Sequence, residues 1–135
     1  LAERAIALGA KVVLVKCGAK GLYYRTATRE KMESLAKKVE MRLGGTRSME
    51  KEGWIDRKGF EKSYAPERVL SATGAGDTTI AAFLAAMLEE YPFERCLQLA
   101  TATGASCVES YDALGGLRSF ADLENKIDAG WKKSW

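Results

Sequence analysis

The sequence contains no histidine. That removes Ser-His-Asp and Cys-His catalysis, and every zinc site that uses imidazole. Its three cysteines, Cys17, Cys96 and Cys107, are far apart and form no CxxC pair. An odd, dispersed set reads as packing thiols in a reduced compartment, not as a disulfide framework. No apolar run nears the ~18 residues of a membrane-spanning helix. The first ten residues lack the basic start and cleavage site of a signal peptide. A cytoplasmic protein without membrane contacts is expected. Charge of one sign is scarce as well: 21 basic residues face 18 acidic ones, and no Lys/Arg block exceeds two residues. Nothing here supports a nucleic-acid partner. The surplus is local, because residues 29–62 hold ten Lys/Arg against seven Asp/Glu, while eleven balance eleven elsewhere.

What is present suits one globular domain: 135 residues, 47% apolar and 29% charged. The chain begins at Leu1 inside an amphipathic pattern, so a piece of a longer protein is expected. Leu1, Ala5 and Leu8 fall on one helical face, with Ile6 beside it and Gly9 as a stop. The run Val12–Val15 reads as an inner strand covered on both faces, as in a parallel sheet. The turn Cys17–Gly21 leads into Leu22–Arg25, an antiparallel neighbour. Met32, Leu35, Ala36, Val39 and Leu43 then mark a helix from Arg29, with Thr28 as N-cap and Gly44-Gly45 as its end. Residues 26–62 otherwise read as an insertion or surface excursion. Trp54, Phe60 and Tyr64 in and beside that span could anchor it on the core or form a partner surface.

Pro66–Ser71 reads as a short strand before the glycine turn of Gly74-Ala-Gly-Asp77. Thr78 to about Glu90 follows as an alanine-rich helix. Phe93 to about Val108 and Phe120–Trp131 give two more, the second capped by Ser119. The whole reads as an α/β layer structure.

One loop carries chemistry. Small residues let a ligand approach the backbone, and the first amides of the following helix lack internal partners at the positive end of its dipole. That favours phosphate or a developing negative charge. Asp77 at this entrance can complement the helix end, or accept a proton from a substrate hydroxyl. No GK[ST] follows the glycines and no G-x-G-x-x-G occurs, so neither the Walker A loop nor the dinucleotide fingerprint is present.

The stretch Ser71-Ala-Thr-Gly-Ala-Gly-Asp-Thr-Thr-Ile-Ala-Ala-Phe-Leu84 resembles the C-terminal signature of the ribokinase, or PfkB, family of sugar kinases. Val12–Tyr23 is similar to that family's hydrophobic strand and T-x-G-x-x-G turn. Ala100-Thr-Ala-Thr-Gly-Ala105 resembles its small-residue helix beside the nucleotide. The resemblance covers the chain outside roughly residues 26–60. It implies the C-terminal part of a three-layer α/β/α domain with a mainly parallel sheet. It implies ATP-dependent transfer of a phosphoryl group to a sugar hydroxyl, with Mg²⁺ on the ATP. Asp77 would be the base, and the Gly74, Ala75, Gly76 and Asp77 backbone the anion hole. Lys16, Cys17, Gly18, Ala19, Lys20, Gly21 and Gly76 would line the ATP site. Lys16 stands in place of the usual Thr, where it could reach phosphates or simply close the strand.

Ser71 and Ala72 replace the family's usual Asp and Thr, and Asp112 and Gly116 depart from its usual ligands. A monovalent-cation site is therefore not implied; Ser71 and Thr73 are its weak remaining candidates. The half of the family's fold that holds the sugar and the magnesium-associated acidic motif has no counterpart in this sequence. The chain alone is thus expected to be inactive, with the missing N-terminal half as its partner. The alternative is a non-catalytic nucleotide-binding or interaction module.

Overall fold

The computed structural model describes residues 1–43 and 52–135. Helix α1 (Ala2–Ala7) leads into strand β1 (Val12–Lys16), and strand β2 (Gly21–Thr26) into helix α2 (Arg29–Leu43). Strand β3 (Lys58–Lys62) precedes helices α3 (Ala75–Leu88), α4 (Phe93–Cys107) and α5 (Phe120–Asp128). Single 3₁₀ turns lie at Gly18–Lys20 and Glu52–Trp54. The expected Gly44-Gly45 stop and most of the loop after it lie outside the described residues.

The three strands form one sheet in the order β1-β2-β3, and both pairings are antiparallel. Val13 stands opposite Arg25, and Tyr23 opposite Phe60. Among the described residues the sheet therefore has no parallel pair, where a mainly parallel sheet was expected from sequence. The β1–β2 pairing is antiparallel as expected, because only residues 17–20 separate the two strands, whereas a parallel crossover needs about a dozen residues. Gly21 makes the short turn possible. Its φ is +129°, and a side chain there would collide with the Glu61 carbonyl of β3. Strand β1 was expected to be an inner strand. Among the described residues it has one partner, and Val12–Val15 are half-buried.

Three other expectations are corrected. In α1 the buried residues are Ala2 and Ile6, while Leu1 and Leu8 are 94% and 82% exposed. The helix is one and a half turns long, and both leucines lie beyond its ends. Residues 66–71 form no strand, because their amides are spent elsewhere. Glu67 N–H donates to Glu109 Oε1, and Leu70 and Ser71 N–H both donate to the Val108 carbonyl at the end of α4. The last helix stops at Asp128, short of Trp131, where Gly130 takes φ +96°. Its N-terminus is as expected, with Ser119 Oγ accepting from Asp122 N–H at 3.1 Å.

The span 26–62 is not all surface. It supplies β3 and Trp54, which is 1% exposed. Trp54 packs on Phe93 at 4.9 Å and Phe83 at 5.9 Å between ring centroids; Tyr24 meets Phe93 edge-on at 5.3 Å. Phe93, the first residue of α4, is fully buried at this junction of sheet, turn and helices. Phe93→Ala should cost about 3–5 kcal/mol of folding stability, read from denaturant unfolding. A loss below about 1 kcal/mol would show that the aromatic cluster does not hold the layers together.

Arg57 bonds Glu94 at 2.7 Å beside this cluster. Burial pushes the Glu94 carboxyl up, but its backbone bond and Arg57 outweigh burial and hold it below its ordinary value. The stabilisation from this depressed group is fully present above the ordinary carboxylate range. It is lost as pH falls through the folded-state value. The pair is half-exposed, so the effect is small. Glu94→Gln should flatten the acid limb of stability against pH; an unchanged limb would remove Glu94 as a contributor.

Helices α3 and α4 pack closely because small residues line their contact. A side chain on Gly104 would strike Thr79 Oγ1 and press on the Ala75 carbonyl. The threonines buried between them are satisfied within their own helices: Thr79 Oγ1 donates to the Ala75 carbonyl at 2.7 Å, and Thr101 Oγ1 to the Leu97 carbonyl at 3.1 Å. This contact sets the back wall of the site.

Candidate active site

The entrance to α3 is built by its glycine turn. Gly74 sits at φ +78°, which only glycine adopts without strain, and is the N-cap. Ser71 Oγ accepts from Thr73 N–H at 3.2 Å, and Ala75 N–H folds back to the Ala72 carbonyl at a long 3.3 Å. The next two amides, of Gly76 and Asp77, donate to no carbonyl of the described residues. They are the orphan donors of a first helical turn and carry its positive end. No side chain of the described residues caps this helix. The Asp77 carboxylate is 94% exposed, one turn in, with Lys16 Nζ at 4.0 Å.

Lys16 reaches this point from the end of β1. Its ammonium lies over Gly76: a Cβ there would be 2.7 Å from Nζ. The second glycine of the loop thus makes room for a cation against a helix N-terminus that already favours anions. A carboxylate, an ammonium and two free amides converge here. That set can bind a phosphoryl group and move a proton.

From this point a cavity of about 380 Å³ runs between the sheet and the α3–α4 pair. One side is the turn, through Gly18, Ala19 and Gly21. The other is helical, through Ala75, Gly76 and Thr79 of α3 and Thr101, Gly104 and Ala105 of α4. Leu22, Val69 and Val108 make the walls apolar, and Ser63 and Ser134 complete the rim. An apolar slot ending in convergent polar groups suits a flat heteroaromatic ring with a charged tail.

Of the residues singled out from sequence, Lys16, Gly18, Ala19, Gly21, Ala75 and Gly76 line the cavity, and Asp77 stands at its mouth. Gly74 shapes the turn without lining it. Cys17 points away, an exposed thiol 3.5 Å from the Val15 carbonyl. Lys20 contributes its carbonyl to the fold, accepting from Ser63 N–H at 3.0 Å. The Ser71 hydroxyl is engaged by the Thr73 backbone N–H. Among the described residues no three His, Cys, Asp or Glu side chains come together as a metal site. Asp112 is occupied too: the Leu114 and Gly115 amides hold its carboxyl below the ordinary range. Sequence reasoning missed Ser63, Val69 and Ser134. They come from irregular segments without a periodic signal and meet only through the fold.

The carbohydrate kinases of the pfkB family match residues 1–118 as a family, and the chain belongs to that family. An uncharacterized sugar kinase of Archaeoglobus fulgidus is 34% identical over 102 residues, 73% of this chain and 38% of that protein. Among solved structures, Arabidopsis thaliana ribokinase complexed with ribose and ATP superposes with a TM-score of 0.65 at 26% identity. That match covers 91% of this chain and 31% of the ribokinase. An E. coli protein assigned as a ribokinase II, in complex with ATP and Mg²⁺, gives 0.65 at 26% identity, covering 94% and 33%. The fold is therefore ribokinase-like, and the chain spans about a third of the length of these relatives, 31–38%. Among the described residues, no helix is long and apolar enough to cross a membrane.

Proposed function

We propose that this chain is the C-terminal nucleotide-binding and catalytic portion of an ATP-dependent sugar kinase. The observation that carries the reading is one cavity whose polar end joins Lys16, Asp77 and the free amides of Gly76 and Asp77. Its apolar length would take the adenine and its polar end the phosphates, and two relatives are solved in complex with ATP. The γ-phosphoryl group then lies at the start of α3, where the two amides and Lys16 offset its charge. A sugar hydroxyl attacks phosphorus. The new O–P bond forms as the bond to the β-phosphate oxygen breaks, ADP leaves with that electron pair, and the hydroxyl proton passes to Asp77. Such transfer needs positioning and charge stabilisation more than covalent catalysis, which is what these groups offer.

Mg²⁺ would come on the ATP phosphates. The described residues bring no carboxylate cluster together to hold it, so no step is assigned to it. Nor is a monovalent cation assigned, since the Ser71 hydroxyl already accepts from the Thr73 backbone N–H. The acceptor sugar would be held by the part of the relatives' length that this chain does not span.

The experiment is a coupled ADP-release assay on the intact protein that carries this chain, with ATP and Mg²⁺ against a panel of sugars and nucleosides. Acceptor-dependent turnover is expected. ATP binding with no turnover on any acceptor would favour the alternative, a nucleotide-binding module without catalysis.

A further inference from the structure

Beyond α5 the chain returns to the sheet as a short strap, Trp131–Trp135, which lies outside the residues matched by the family. Ala65 N–H donates to the Lys132 carbonyl at 2.9 Å, and Ser134 N–H to the Ser63 carbonyl at 2.8 Å. Trp131 Nε1 donates to the Ala65 carbonyl at 2.7 Å, and its ring stacks on Tyr64 at 4.8 Å. Lys133 Nζ bonds Glu61 Oε1 at 2.6 Å. The strap is thus fastened to the exit of β3.

Its last two residues turn onto the glycine turn that walls the cavity. Ser134 Oγ donates to the Ala19 carbonyl at 3.3 Å, and Ser134 itself lines the cavity. Trp135 Nε1 donates to the Lys20 carbonyl at 2.9 Å. The indole is placed for this by Phe60, 5.8 Å away, and by Lys62 Nζ, 4.3 Å above the ring. The turn closes on bonds of its own, from Cys17 N–H to the Gly21 carbonyl at 2.8 Å and from Lys20 N–H to the Cys17 carbonyl at a long 3.3 Å. Gly18 and Gly21, both at positive φ, flank it, and the strap holds its Ala19 and Lys20 carbonyls from outside.

We propose that Trp135 and Ser134 are positioning residues for nucleotide binding: they hold the Gly18–Gly21 turn from behind and so set the width of the cavity. The proposal rests on the reading that the cavity takes ATP. Neither residue is placed near the reacting phosphate, so the strap governs affinity and leaves the chemical step alone. Trp135 is 59% exposed, and its removal leaves the core intact.

The test uses the intact protein with Trp135→Ala and Trp135→Phe. Hydrogen exchange without nucleotide should quicken at the Ala19–Gly21 amides in both variants, because neither retains the N–H. The ATP Kd should rise about tenfold in Trp135→Ala, the scale of a lost hydrogen bond and ring contact. In Trp135→Phe it should rise by a smaller factor, while kcat, acceptor KM and Tm stay near those of the unsubstituted protein. Unchanged exchange at the turn overturns the strap. So does an ATP Kd within twofold in Trp135→Ala, or one that rises only in step with lost Tm. Failure of the unsubstituted protein to bind ATP overturns the nucleotide reading itself and the strap's role with it.

Discussion

Asp77→Asn in the intact protein should lower kcat by about 10²–10⁴-fold, the usual cost of losing a general base. Tm should change little, and ATP affinity should not fall. Asn keeps the shape of Asp, and the fold does not lean on this side chain. It is 94% exposed, Gly74 is the N-cap of α3, and the Asp77 carboxylate does not cap the helix. Its charged neighbour among the described residues is Lys16, at a 4.0 Å separation that contributes little to stability in solvent. The loss therefore belongs to the transition state, where the hydroxyl proton is moving, and should appear in kcat. A kcat within a few-fold of the parent would remove Asp77 from the reaction. A fall matched by lost stability would make it a helix-end charge.

Lys16→Met should weaken ATP binding about 10–100-fold, the range for a charge-assisted hydrogen bond to phosphate. Adenosine binding should be unaffected. The ammonium sits over Gly76 and beside Asp77, so it is placed for the phosphate end of the cavity and not for its apolar length. Asp77 and the phosphate compete for the same cation. Asp77→Asn should therefore tighten ATP by a few-fold in the parent and have a smaller effect in the Lys16→Met background, a coupling read from a double-mutant cycle. Equal loss for ATP and adenosine would mean that Lys16 only closes the strand.

The parts of this architecture that were legible in the sequence are those governed by local rules. The Gly74–Asp77 turn, the alanine-rich face of α3 and the Ser119 cap each follow from backbone sterics or helix-end chemistry. Each appears within about three residues of where the pattern puts it. The β1–β2 pairing was legible for the same reason, since a four-residue turn with glycines leaves one geometry. Strand direction in the sheet as a whole was not. The Val run of β1 has the composition of a buried parallel strand, yet composition records burial and not which neighbours a chain supplies. β3 was illegible because Lys-Gly-Phe-Glu-Lys has one large apolar residue; the strand exists through its ladder to β2 and not through propensity. Pro66–Ser71 erred in the opposite sense, with its amides claimed by α4 and Glu109.

For the site, motif chemistry singled out Lys16, Gly76 and Asp77, and the fold brings the three together at the entrance to α3. Motif chemistry could not locate the rim. Ser63 and Ser134 are 71 residues apart in numbering and adjoin only because the strap returns to β3. Lys20 shows the converse limit. Its place in the turn puts it among the residues expected to line the ATP site, but the fold uses its carbonyl, held by Ser63 and Trp135.

The central claim is that ATP lies in this cavity with its γ-phosphate at the start of α3. A crystal structure of the intact protein with Mg²⁺ and a non-hydrolysable ATP analogue tests it most directly. The expected result is the adenine between Val69 and Val108, and γ-phosphate oxygens about 3 Å from the Gly76 and Asp77 amides and from Lys16 Nζ. A nucleotide bound elsewhere, or one whose phosphates point away from Asp77, would contradict the account.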